Sequence, residues 1–374
     1  MNKKLRVGVI FGGRSGEHEV SLVSASSVMN ALDREKYDVV PIGITQDGRW
    51  VSSAHALHLL KAKTGLEHEP ERFLLPEPHR QGLVSVNGES PSHLGLDVVF
   101  PVVHGTYGED GTLQGLLELA NLPYVGAGVL SSAVGMDKIV QKQLFAEAGL
   151  PIVKYVWFLS SACRNNTKRV ASIVERKLNY PVFVKPSNTG SSVGILKAHN
   201  RKELVEGLAV AADFDRKVIV EQGVENAREI EVSVLGNDAP IASIPGEIVP
   251  SNEFYDYDAK YVDGRSKAII PADLPKKLVK EIQRIALRAF TLLDCAGMAR
   301  VDFFVTQKKG RIYLNEINTI PGFTSISMYP QLWEASGLSY AKLLDKLIAL
   351  ALERHQEKNV LNTTFRPTSE WYKS

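Results

Sequence analysis

The stretch LRVGVIFGGRSGEHEVSLVSASSVMNAL, residues 5–32, decides how the fold begins. Leu5–Phe11 alternates only weakly and predicts a buried strand, which the glycines at 12, 13 and 16 then break. From Val20 to Leu32 the apolar spacing becomes helical, and Tyr37–Ile44 predicts the next strand. Strand, glycine turn, helix, strand is the grammar of a parallel α/β unit.

Working outward, a polar stretch punctuated by Gly and Pro runs from about Leu66 to His93, and Val98–Val103 predicts a later strand. Leu113–Ala120 predicts a helix and Tyr124–Ala127 a short strand, so the first domain is expected to span residues 1–130. Met136–Ala148 predicts one amphipathic helix closed by Gly149 and Pro151. Strands Val153–Phe158, Val182–Lys185 and Val218–Gln222 alternate with helices ending near Leu178 and Phe214, giving a middle domain over 131–225. In the C-terminal domain, 226–374, Ile230–Leu235 and Ile241–Ile248 read as antiparallel partners and Pro250–Arg265 as a polar loop. Pro275–Leu293 predicts a long helix, and a hairpin follows with strands near Met298–Thr306 and Arg311–Ile317. Pro321–Tyr329 reads as irregular and Tyr340–Leu350 as the last helix. The fold class is mixed α/β and α+β, opening on an open α/β domain.

Three hundred and seventy-four residues with 44% hydrophobic and 23% charged side chains make an ordinary globular composition. Forty-four basic against forty-two acidic residues leave +2, too near balance to argue for a nucleic-acid or membrane-surface protein. Cys163 and Cys295 cannot build a disulfide scaffold and belong to no metal-spaced cluster, so a cytoplasmic location is expected. No apolar run approaches the ~18 residues of a membrane span.

Three loops and one hairpin could carry chemistry. Gly12–Glu19 is a glycine-rich turn before a helix, without the spacing of a dinucleotide fingerprint or a P-loop. It reads either as a plain turn or as an ammonium site, since Glu17 and Glu19 disfavour phosphate. His104–Gly111 has three glycines and two acids after an apolar strand, where open α/β sheets bind ligands, although Asp110 also reads as a helix cap. Lys185–Gly194 joins a strand-end lysine to a hydroxyl-rich loop able to cover phosphates, or is a polar surface loop. In the hairpin, a turn near Lys309 sets Asp302 opposite Glu316 and Arg300 opposite Asn318. Residues 316 and 318 share a face by the period of two, so Asp302, Glu316 and Asn318 gather hard oxygen donors beside Arg300. Facing carboxylates repel unless something compensates: either Mg²⁺, which suits these donors, or Arg300 neutralising the acids on a solvated hairpin face. An anion flap, a metal face and a separate ligand site together suggest ATP-driven phosphoryl transfer to a separately held acceptor.

Six strings then resemble, in order and spacing, the D-alanine–D-alanine ligases of the ATP-grasp superfamily. They are GGRSGEHEVSL (12–22), HGTYGEDGTLQG (104–115), KPSNTGSSVG (185–194), YDYDAKY (255–261), ARVDFF (299–304) and NEINTIPGFTSISMYP (315–330). The resemblance implies a three-domain ATP-grasp fold with the nucleotide between the middle and C-terminal domains. It implies ligation of two D-alanines with ATP through an acyl phosphate, for peptidoglycan synthesis. Glu19 would hold the ammonium of the first D-alanine, with His104 nearby, and Tyr261 would close over the site with Glu19 and Ser191. Lys138 and Lys185 would contact the ATP phosphates, with Ser192 in the closing loop. Glu221 and Val224 would bind adenine and Glu229 the ribose, with Phe304 and Asn315 completing the nucleotide contacts. Asp302, Glu316 and Asn318 would ligate two Mg²⁺ ions, with Mn²⁺ as a substitute. Arg300 and the backbone of Gly322 would stabilise the acyl phosphate and the oxyanion, and Ser327 and Met328 would meet the second D-alanine. Gln222 departs from the basic residue the family often carries there. The YDYDAKY loop resembles the dipeptide-forming type, and the implied partners are D-alanine, ATP and a second copy in a homodimer, with no nucleic acid or membrane insertion.

Overall fold

In the computed structural model, the described residues are 3–69, 71–85, 92–250, 266–324 and 326–364. Strand β1 (Leu5–Gly12) has Val7, Val9, Ile10 and Phe11 all buried, as a strand covered on both faces requires. It is followed by α1 (His18–Ala31), β2 (Tyr37–Ile44), β3 (Trp50–Val51) and α2 (Ala56–Ala62). Next come β4 (Phe73–Leu74), β5 (Gly82–Ser85), β6 (Ser92–Gly95), β7 (Val98–Pro101), α3 (Thr112–Leu119), α4 (Val129–Met136) and α5 (Lys138–Glu147). The first sheet runs β3-β2-β1-β7, with β1 parallel to both β2 and β7. Chain order reverses beside β1, so the loops leaving β1 and β7 lie next to each other at the strands' carboxyl ends, where such sheets open a crevice.

Three sequence expectations change here. The polar stretch before β7 carries a small antiparallel sheet, β4-β5-β6, whose short strands give too brief a pattern to read. The single helix expected over Met136–Ala148 breaks at Asp137, whose ψ of 99° is not helical. Its carboxylate caps α5 by accepting from the N–H groups of Ile139 and Val140, both at 3.1 Å. Tyr124 makes only an isolated parallel bridge to Val99.

The second sheet, β10-β9-β11-β8, is antiparallel throughout. It is built from β8 (Tyr155–Leu159), β9 (Val182–Pro186), β10 (Leu196–Ala198) and β11 (Lys217–Gln222). Helices α6 (Ser160–Asn165), α7 (Thr167–Lys177) and α8 (Arg201–Phe214) cover it, sharing a core of Cys163, Val170, Val174, Leu204 and Leu208 with Val184, Val218 and Val220. Val170, Ala171 and Val174 recur at helical spacing on α7, which fixes the face it buries.

The third sheet contains β12 (Ala227–Gly236), β13 (Ile241–Ala242), β14 (Gly246–Val249), β15 (Lys267–Ile269), β16 (Gly297–Thr306) and β17 (Ile312–Asn318). Its order is β15-β14-β12-β16-β17, and both β13 and β14 pair with β12, so the strand expected over Ile241–Ile248 is two strands. Helix α9 (Lys276–Leu292) lays Ile282, Ile285, Ala286, Ala289 and Phe290 on this sheet. Helix α10 (Met328–Ala335) begins inside the segment read as irregular; Pro330 lies in its first turn, where a missing N–H costs nothing. Helix α11 (Tyr340–Asn359) runs past the expected end at Leu350 and packs Leu343, Leu344, Leu347 and Ile348 into one core with Val7, Val9 and Phe11. Among the described residues no helix is long and apolar enough to cross a membrane.

Candidate active site

A cleft of about 1290 Å³ is lined by residues of the second and third sheets and by residues that follow β1 and β7 of the first. At one end stand the loops after β1 and β7. Gly12 has φ +87°, and a Cβ there would meet the Ile44 carbonyl oxygen at 2.2 Å, so only glycine lets the chain turn. The turn brings Ser15 to donate to the His104 carbonyl at 2.7 Å, joining the two loops. It also buries Glu17, whose carboxylate accepts a hydrogen bond from the Ser191 hydroxyl. A Cβ on Gly190 would lie 2.1 Å from Glu17 Oε2, and one on Gly105 2.6 Å from it. The carboxylate is held between two glycines of different loops.

Glu17, and not Glu19, is therefore the acid that meets Ser191. Glu19 pairs with Lys63 at 3.2 Å on a half-exposed rim, where that ammonium helps to lower its pKa against the opposing effect of burial. Two residues along a helix rotate a side chain by about 200°, so both acids cannot point the same way. His104 is buried, with Nε2 2.9 Å from Ser24 Oγ and Nδ1 3.1 Å from the Ile320 carbonyl. Burial lowers its pKa despite Glu17, keeping the ring neutral, with Nδ1–H donating and Nε2 accepting. Both ring nitrogens are thus spent on protein partners, and His104 braces the cleft wall rather than offering a spare donor. Glu109 accepts from the Gly105 N–H at 3.2 Å; burial and the neighbouring Glu17 push its pKa well up.

At the other end, the α4–α5 break sets Lys138 on the first turn of α5, where its ammonium donates to the Thr189 carbonyl at 2.7 Å and lies 3.8 Å from Glu316. That contact reaches the loop after β9, in which Ser191 and Ser192 both have positive φ (47° and 60°), an uncommon backbone that clusters at functional loops. Ile219 faces Lys185 across β9 and β11, so Lys185 and Glu221 stand diagonally on one face, 2.7 Å apart. Lys142 lies 3.0 Å from the other oxygen of Glu221. Burial alone would raise the Glu221 carboxyl, but the two ammonium groups outweigh it and hold it at about 2. Its Oε1, the oxygen beside Lys142, is itself buried. Gln222 turns away to bond the backbone of Asn179 at 2.8 and 2.6 Å.

The hairpin pairs Arg300 with Asn318 and Asp302 with Glu316, the register expected from sequence. Beyond Asp302 the register shifts: Phe303 faces Leu314, leaving Asn315 without a partner across the ladder. Such a bulge re-aims side chains, and here it lets Leu314 and Ile317, three apart, both enter the core. On the other side Glu231 of β12 faces Asp302, so Glu231, Asp302 and Glu316 form a row of acids across three strands. Arg300 answers them from the next row, donating to both oxygens of Asp302 at 2.8 and 2.7 Å and lying 3.1 Å from Glu231. Against the cost of burial, Asp302 and Glu231 hold the Arg300 pKa well up, and Asn318 donates to Asp302 at 2.9 Å. Two carboxylates and an amide oxygen on one face suit a hard cation and the phosphates it carries. The Glu221 carboxylate, on the cleft wall, suits an amino group on a nucleotide base.

Every sequence-derived candidate within the described residues lines this cleft, including Val224, Glu229, Phe304, Gly322, Ser327 and Met328. Ser327 precedes the N-terminus of α10, and its hydroxyl accepts from the Thr324 N–H at 3.0 Å. Tyr261 and the 255–261 string lie outside the described residues. Sequence reading missed Lys142 and Glu231 and gave Glu109 no role of its own; Glu109 is one of the two acids of the 104–111 loop, and Glu231 lies two residues from Glu229 on the same strand face.

Comparison with known proteins gives consistent matches. The family profiles described as D-ala D-ala ligase N-terminus and D-ala D-ala ligase C-terminus match residues 6–127 and 144–349. D-alanine–D-alanine ligase of Natranaerobius thermophilus is 50% identical over 366 residues, covering 97% of this chain and 99% of the relative. That of Clostridium novyi is 53% identical over 351 residues, 94% of this chain and 99% of the relative. Among solved structures, the D-alanine–D-alanine ligase from Coxiella burnetii superposes with TM-score 0.82 at 40% identity, over 95% of this chain and 96% of that one. The VanG D-Ala:D-Ser ligase from Enterococcus faecalis gives TM-score 0.82 at 39% identity, over 93% and 100%.

Proposed function

The chain belongs to the D-alanine–D-alanine ligase family and has its ATP-grasp fold, and from that premise we propose how its cleft divides the work. The reaction joins two D-alanines with ATP and a divalent metal, for peptidoglycan precursor synthesis. The observation that carries the residue roles is the acid row of Glu231, Asp302 and Glu316, facing the same cleft as Lys138 and Lys185.

Glu17, set between Gly105 and Gly190, takes the ammonium of the first D-alanine, the role expected of Glu19. Its hydrogen bond from Ser191 couples substrate binding to closure of the 187–194 loop, joined by Tyr261. Closure excludes water, which would otherwise hydrolyse the acyl phosphate. Lys138, Lys185 and Ser192 hold the phosphates; Glu221 and Val224 hold the adenine, Glu229 the ribose, and Phe304 and Asn315 flank the nucleotide. Asp302, Glu316 and Asn318 would hold two Mg²⁺ ions, replaceable by Mn²⁺, which would supply positive charge to the phosphates.

The carboxylate of the first D-alanine attacks the γ-phosphoryl of ATP, releasing ADP and leaving an acyl phosphate. The neutral amine of the second D-alanine then attacks the carbonyl carbon, and inorganic phosphate and the amine's proton leave as the peptide bond forms. Arg300 and the Gly322 N–H stabilise the oxyanion of that second step. The N-terminus of α10, at Ser327 and Met328, receives the carboxylate of the second D-alanine, because unpaired N–H groups there favour anions. The assembly is a homodimer in the cytoplasm.

Phosphate release from ATP, measured with and without D-alanine, tests the activity; products made with D-alanine, D-lactate and D-serine are identified by mass. Strict dependence on D-alanine and divalent metal is expected. Asp302→Asn and Glu316→Gln should each lower kcat by about 10²-fold or more, as loss of a charge-stabilising group does. Absence of dipeptide from D-alanine refutes the activity, and full activity in either variant refutes the metal roles.

A further inference from the structure

Lys142 lies in the middle of α5, 1% exposed, and none of the roles above uses it. Its ammonium stands 3.0 Å from Glu221 Oε1 and donates to the Asn315 carbonyl at 2.9 Å. Glu221 ends a strand of the second sheet, and Asn315 is the bulged residue of the third. The bulge leaves Asn315 outside the β16–β17 pairing, and its carbonyl accepts from the lysine. One side chain thus ties together the two strands that bracket the nucleotide.

Neutralising Glu221 does not require this lysine, because Lys185 already pairs with Oε2 at 2.7 Å. Burying a second ammonium is unfavourable unless its bonds repay it, and an apolar residue of similar volume would often serve packing as well. The second charge does something the first does not: bonded to the Asn315 carbonyl and paired with Oε1 at once, it fixes the rotation of the carboxylate on the cleft wall.

We propose that Lys142 is a positioning residue for base recognition, bridging the Glu221 carboxylate and the Asn315 carbonyl so that the carboxylate meets the exocyclic amino group of the base. This rests on the reading of Glu221 as an adenine contact. The test compares calorimetric affinities of the full-length protein, with Mg²⁺, for ADP and for inosine diphosphate, which carries a carbonyl where adenine has its amino group. Glu221→Gln should lose most of the preference for ADP. Lys142→Met should weaken ADP by about tenfold or more, the scale of one hydrogen bond to a charged group, with inosine diphosphate changed by less than about twofold. Lys142→Met/Glu221→Gln should match Glu221→Gln alone, since one residue acts through the other.

Equal weakening of both nucleotides in Lys142→Met marks a general packing role and overturns the proposal. An unchanged ratio in Lys142→Met beside a lost one in Glu221→Gln overturns it while leaving the adenine contact standing. An unchanged ratio in Glu221→Gln overturns both. If Lys142→Met does not melt cooperatively, the ratio in Lys142→Gln, which keeps a donor for Asn315 without the charge, decides in the same way.

Discussion

Gly190→Ala tests the idea that the Glu17 carboxylate needs glycine on both sides. The new Cβ would lie 2.1 Å from Glu17 Oε2 and 3.0 Å from its Cδ, whereas real Cβ contacts stay beyond 3.0 Å. The carboxylate or the loop must therefore retreat by about 1 Å or more to reach ordinary contact. The carboxylate has little room to do so, because Glu17 is buried and Gly105 closes its other side at 2.6 Å from a Cβ. Backbone strain does not confuse the result, since Gly190 is not among the glycines with positive φ. What is lost is the hydrogen bond from Ser191 to the charged carboxylate, worth about 1.5–3 kcal/mol. At about 1.4 kcal/mol per factor of ten, kcat/KM for D-alanine should fall between about 10-fold and 150-fold. The assay is coupled phosphate release over a range of D-alanine concentrations, with a thermal melt to show that the fold survives. Gly115→Ala on α3 is the control, because a Cβ there meets nothing within 4 Å, and it should leave activity unchanged. Wild-type kcat/KM in Gly190→Ala would refute the reasoning.

Asp137→Ala removes the cap of α5, a hydrogen bond from Ser187 at 2.7 Å and the partner of Lys217. A lost cap costs about 1 kcal/mol and a broken, largely buried pair more, so urea unfolding should show about 2–4 kcal/mol of destabilisation; less than about 0.5 kcal/mol would mean that the break at Asp137 does not depend on it. His104 supplies a pH test: burial lowers its pKa from 6.5, so its stabilising contribution is present above that value and is lost as pH falls below it. Wild type should lose up to about 1.4 kcal/mol per pH unit more than His104→Gln on acidification below that point, and parallel curves would contradict a buried neutral ring. Burial pushes the Cys163 and Cys295 thiols up to about 11 and about 12, so neither should react with a thiol reagent at pH 7.5 until urea unfolds the chain.

Much of the site is legible in the sequence because its chemistry is local. A hairpin register follows from turn position and a period of two, so the order of residues alone gathers Asp302, Glu316, Asn318 and Arg300 on neighbouring positions. Glycine-rich loops at strand ends announce themselves by composition, and the 12–19, 104–111 and 185–194 loops do meet at one cleft. The strand–turn–helix opening is legible for the same reason, since residues 5–44 carry their own periodicity.

Contacts between distant segments are not legible. That Glu17 faces Ser191 while Glu19 faces Lys63 depends on how α1 is rotated against a loop 174 residues further along, and both acids look alike in the sequence. Lys142 reads as one more charge on an amphipathic helix until the second and third sheets close on it from two sides. The acid row needs β12 beside β16, a pairing of strands more than 60 residues apart, before Glu231 can join it. The sequence by itself determined the elements and the donors they carry, because hydrogen-bond periodicity and turn chemistry act over a few residues. Tertiary structure decided which donors face one another and which are buried, because desolvation and close approach arise only when separate segments pack together.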